Sequence, residues 1–113
     1  MGRKGSACVV LITHPIRGAA AFARGLVEQR LAACVNRIPI RSTYRWKGAL
    51  KEAGEVLLLV KTSDTRLEAL YHAIHASHPY ELPELVVLAP AWVGADYQAW
   101  VLAETAARRG DRR

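Results

Sequence analysis

Two long strand-like segments that meet at Lys47-Gly48-Ala49 limit this chain's folding options more than any other feature. From Asn36 to Lys47 the side chains alternate. Ile38, Ile40, Ser42, Tyr44 and Trp46 share one face, and Arg37, Arg41, Thr43, Arg45 and Lys47 share the other. That period of two is what a half-buried strand imposes. Leu50 to Lys61 brings the chain back after a turn-like spacing, which predicts a β-hairpin. Glu52 and Glu55 are expected across from the arginines, where opposite charges help modestly. Twelve strand residues at about 3.3 Å each span roughly 40 Å. A domain of 113 residues is only about 35 Å across. The far end, with Tyr44, Trp46 and Leu50, is therefore expected to overhang its own core. Exposed aromatics on such a ribbon need cover, and another copy of the chain is the readiest source.

The remaining elements alternate in type. Ala7 to Thr13 is a short apolar run, read as a buried strand from its length and β-branching. From Ile16 to Leu31, residues Ile16, Ala19, Phe22, Ala23, Leu26 and Val27 fall within about 140° of arc at helical period, with Arg17, Arg24 and Glu28 opposite. Asp64 is placed to cap a second helix with the buried stripe Leu67, Leu70 and Ile74, ended by His78-Pro79. Leu85 to Val93 reads as a fourth strand and Asp96 to Arg109 as a closing helix. The order is βαββαβ plus a terminal helix. It predicts an α+β, ferredoxin-like fold with a long central hairpin and helices on one face of an antiparallel sheet. A single domain over residues 7–107 is expected, between basic tails at 1–6 and 108–113.

Those tails carry most of the net charge of +6, leaving the body from Ser6 to Ala107 near +1. Such a distribution makes a poor footprint for specific nucleic-acid binding. No apolar run approaches the ~20 residues of a membrane span, and no signal-peptide h-region follows Met1-Gly2-Arg3-Lys4-Gly5. Cys8 and Cys34 are expected as buried free thiols, consistent with a cytoplasmic address.

The densest polar chemistry lies in His78-Pro79-Tyr80-Glu81-Leu82-Pro83-Glu84. Each proline fixes its own φ and pushes the preceding residue out of the helical region. The segment reads equally as punctuation between helix and strand and as a rigid connector presenting an imidazole, a phenol and two carboxylates. His72 and His75 point away from the apolar stripe of their helix and read as a solvated face. No nucleophile with an arranged base, glycine-rich phosphate loop or metal-hydrolase spacing occurs, so no enzyme is expected.

Several segments in one order and spacing carry a resemblance: Leu31-Ala32-Ala33-Cys34-Val35-Asn36, Ser42-Thr43-Tyr44-Arg45-Trp46-Lys47-Gly48, Glu55 leading to Lys61-Thr62, His78 to Glu84, and finally Tyr97 and Trp100. Together they resemble the CutA family, the divalent-cation-tolerance proteins, over about Val9 to Ala103. The resemblance implies a cytoplasmic homotrimer joined through the long hairpin, with an architecture similar to PII regulators. It implies binding of divalent cations such as copper or zinc near an inter-subunit cleft, with no obligatory cofactor. Ile12, Ala73 and Ser77 stand where some relatives carry cysteine or a second histidine, leaving imidazole and carboxylate as ligands. Candidate metal ligands are His78, Glu81 and Glu84. Candidate cleft residues are Trp46, Lys61, Tyr80 and Trp100, with Lys61 facing either Glu84 or an anionic ligand. Two alternatives stay open: a PII-like regulator that binds a small anionic molecule and acts on a partner protein, and a structural trimer without a dedicated ligand.

Overall fold

The structure, a computed structural model, describes residues 5–107. The element order is β1 (Ala7–His14), α1 (Ala19–Glu28), β2 (Cys34–Trp46), β3 (Ala49–Ser63), α2 (Leu67–Ser77), β4 (Val86–Leu88) and α3 (Ala95–Glu104). The strands form one antiparallel sheet in the order β2-β3-β1-β4. This is the ferredoxin-like βαββαβ arrangement with an added terminal helix, as the sequence predicts.

One face of the sheet carries Val10, Ile12, Val56, Leu58 and Val60. These residues pack against Ala19 and Leu26 of α1 and Leu70 and Ile74 of α2 to form the main core. By strand alternation the opposite face presents Leu11, Thr13, Glu55, Leu57, Leu59 and Lys61. The third helix does not join the first two. It packs through Val101 on Ala7 and Ala33 in a separate cluster, and so closes one end of that opposite face. A βαββαβ unit places its two crossover helices on one side, but nothing in that topology constrains a helix appended after the last strand.

The hairpin is longer than expected and in register from Cys34↔Lys61 to Trp46↔Ala49. Lys47 and Gly48 form its tip with φ of 51° and 81°, the twist-matched geometry of a two-residue hairpin turn. Pro39 has no N–H to donate, which β2 tolerates as an edge strand. The chain measures 49 Å along its longest axis, with a radius of gyration of 14.9 Å against about 13 Å for a compact domain of this length. The register corrects one expectation. Glu52 lies opposite Thr43 and Glu55 opposite Ile40, so neither faces an arginine.

Other boundaries shift for local reasons. The first helix starts only at Ala19, because Gly18 adopts a left-handed φ of 87°, and Ile16 is left exposed outside it. Asp64 does not cap α2. It opens a short 3-10 turn, and its Oδ1 accepts from the Ser6 N–H at 3.0 Å while its own N–H donates to the Ser6 carbonyl at 2.9 Å. The fourth strand covers three residues, Val86–Leu88, rather than nine. With Leu88 opposite Val9, the next like-facing pair would set Pro90 against Ala7, and proline cannot donate to the ladder. Cys8 is buried, Cys34 is half-buried, and both are free. Burial pushes the Cys8 thiol up, with Asp64 adding to the effect. Residues 108–113, including the expected end of the last helix, lie outside the described residues.

Candidate functional site

On the open part of the uncovered sheet face lies a cleft of about 710 Å³. Thr13 and Glu55 floor it. Ser42 to Trp46 of the hairpin form one wall, and Tyr80 to Val86 of the connector form the other. The connector is held by its histidine. His78 closes α2 with an extended ψ of 136°, as expected before a proline, and its ring turns inward. The Nε2–H donates to the Thr13 carbonyl at 2.7 Å, and Nδ1 accepts from the Tyr80 N–H at 3.1 Å. The ring packs edge-on against His14 and Phe22 and tilted against Tyr80, all with centroids within 5.5 Å. Burial pulls the His78 imidazole below its ordinary 6.5, and the nearby His14 adds to this against the Thr13 bond and Glu55. A neutral ring with Nε2 protonated satisfies both partners.

With the connector fixed, Tyr80 reaches across and donates its hydroxyl to Glu55 Oε1 at 2.7 Å. Glu55 is 6% exposed. Burial, reinforced by the hydrogen bond to Glu55, pushes the Tyr80 phenol far above its ordinary 10.0. Glu84 stands on the same cleft, and its carboxyl is raised above 4.5 by burial and then by the charge of Glu55. Glu81 lies at the rim, where it accepts from Lys47 Nζ at 3.3 Å; both groups are largely exposed and the pair contributes little to stability.

Of the residues the sequence singled out, Trp46, Tyr80, Glu81 and Glu84 come together in this cleft. His78 stands behind the wall with both nitrogens engaged by its own chain. Lys61 and Trp100 are elsewhere. Lys61 donates to Asn36 Oδ1 rather than to Glu84. It lies opposite Cys34 at the end of the sheet near Tyr97, whose phenol is raised by burial and by Cys34. Tyr97 and Trp100 pack ring to ring there, with centroids 5.6 Å apart. His72 and His75 are exposed, as expected, with Tyr71 against both rings. Sequence reasoning missed the role of Glu55. The signal available was a carboxylate next to the apolar run Val56 to Val60. Among the described residues no group of three or more His, Cys, Asp or Glu is arranged to hold a metal ion. Nothing among the described residues of the cleft points to catalysis.

The overhanging hairpin, the antiparallel sheet and an acidic, aromatic cleft on its open face define a ferredoxin-like fold of PII-like design. The chain belongs to the CutA1 divalent ion tolerance protein family, whose family model matches residues 8–104. It is 46% identical over 99 residues to the divalent-cation tolerance protein CutA of Thermus thermophilus, covering 86% of this chain and 96% of that one. It is 48% identical over 81 residues to the CutA homolog of Xenopus laevis, covering 71% of this chain and 54% of that protein. The solved structure of the PII-like protein CutA from Nostoc sp. superposes with a TM-score of 0.86 at 37% identity, over 89% of this chain and 99% of that one.

Proposed function

We propose that this chain is a non-enzymatic, cytoplasmic homotrimer of divalent-cation homeostasis that receives cations in the cleft beneath the hairpin, where a neighbouring subunit completes the wall. The observation that carries the reading is that Glu55 and Glu84 share that cleft, with Glu84 raised partly by the charge of Glu55. A site with this balance favours a positive guest, and carboxylates suit hard and borderline divalent ions. Arg45 also lines the cleft, but strand alternation turns its side chain away from Tyr44 and Trp46. Of the ligand set expected from sequence, Glu84 stands in the cleft beside Glu55 and Glu81 stands at its rim, and the three are not arranged as a preformed metal centre. His78 anchors the connector, and contact between its ring and a metal requires release of Thr13 or Tyr80. The family's name for its function and the free thiols Cys8 and Cys34 support the assignment and the compartment. An anionic guest finds less support, since Lys61 is remote and engaged by Asn36.

Isothermal titration of the metal-stripped oligomer with copper(II) and zinc tests this. Saturable binding that Glu84→Gln weakens about tenfold or more, a loss of about 1.4 kcal/mol, is the expected result. Heats that do not saturate, or that Glu84→Gln leaves unchanged, rule the site out.

A further inference from the structure

The cleft offers more than a metal ion uses. Its volume of about 710 Å³ falls within the roughly 300–1,000 Å³ typical of sites for small organic molecules. Its walls include Tyr44, Trp46 and Tyr80, whose ring faces attract organic cations. Its floor holds Glu55, 6% exposed, with the Tyr80 hydroxyl as hydrogen-bond donor. The ion pairs formed among the described residues, Arg30 with Glu104 and Lys47 with Glu81, do not include Glu55. A carboxylate this deeply buried is stabilised by a cation partner, and among the described residues the chain supplies none. Glu84 adds a second carboxylate beside it. Imidazole and thiol, the ligands that hold copper and zinc most firmly, do not line the cleft.

We propose that the cleft takes a protonated aliphatic amine, its ammonium at Glu55 and Glu84 and its alkyl body against Tyr44 and Trp46. An ammonium supplies N–H donors to oxygens already shaped by the Tyr80 bond. Its carbon chain removes aromatic surface from water, which a hydrated metal ion does not. This inference rests on the cleft being a cation site, and it names a different class of guest for it.

The test is calorimetric titration of the native oligomer with 1,4-diaminobutane, and separately with zinc. Saturable diamine binding is expected. Glu55→Gln should weaken it about tenfold or more, and Trp46→Leu should weaken it as well. Each variant is checked for unaltered sedimentation, and Glu84→Gln replaces Glu55→Gln if the latter does not assemble. Zinc binding that depends on Glu84, with no saturable diamine binding, overturns this inference and leaves the metal reading standing. Diamine binding without zinc binding does the reverse. If neither ligand saturates, both readings fall. Diamine binding that ignores Glu55, Glu84 and Trp46 overturns the assignment to this cleft.

Discussion

Glu55 and Glu52 look alike in sequence, two carboxylates on one strand, yet only Glu55 is buried. Glu55 lies under Tyr80, 25 residues along the chain, whose hydroxyl meets it, whereas Glu52 points to the other face nearer the hairpin tip. Their shared environment also sets the behaviour of Glu84. Its carboxyl is raised above 4.5, first by burial and then by Glu55, so the folded chain holds that proton more tightly than the unfolded chain does. Stability from this group is therefore greatest at acid pH. It falls as pH rises through 4.5 and the raised value, and levels off above that. Replacing Glu84 by Gln removes the penalty. Thermal unfolding at fixed protein concentration should show Glu84→Gln melting above the parent at pH 7, with the gap closing below about pH 4. A gap that persists or widens in acid would contradict the assignment.

At the level of elements, the hairpin was legible because its information is local. Alternation identifies the first strand, and the turn-like spacing at Lys47-Gly48-Ala49 identifies the return of the second. The turn demands positive φ at both positions, which the structure shows. A Cβ at Gly48 would meet no heavy atom within 4 Å, so a substitution there is opposed by backbone conformation alone. Gly48→Ala is expected to cost about 1 kcal/mol per chain, and Lys47→Asn to recover a few tenths, since Asn tolerates the left-handed region better. Guanidinium unfolding of both variants beside the parent measures this; an unchanged midpoint for Gly48→Ala would show that the turn relaxes. The short β4 and the late start of α1 were less legible. Whether Pro90 falls on a ladder position depends on the register of the strand beside it, and no periodicity marks the positive φ that Gly18 adopts ahead of Ala19.

Taken whole, the molecule leaves much apolar surface uncovered. Val86, Val87 and Leu88 of the edge strand β4 are all exposed, as are Ile38, Tyr44 and Leu50 on the hairpin and Trp92 before α3. Monomeric proteins rarely carry so extended an apolar face, and β2 and β4 both present free edges. Sedimentation at micromolar concentration is expected to give the mass of three 12.4 kDa chains. Leu50→Asp, at a tip residue that is 68% exposed, should weaken assembly by about tenfold or more. A parent that sediments as one chain, or a variant that assembles equally well, would overturn the trimer.

The sequence by itself determined the order and type of the elements, the long hairpin and the family pattern, because periodicity, turn chemistry and proline act within a few residues. It also brought Trp46, Tyr80, Glu81 and Glu84 to notice as polar and aromatic groups. Only the tertiary structure decided which of them meet. Lys61 shares a strand and a face with Glu55, but six residues of extended chain separate them by about 20 Å, and α3 closes that end of the face. The inward turn of His78 likewise depends on the Thr13 carbonyl, 65 residues away in the chain. Register and packing bring distant residues together, and no local pattern encodes either.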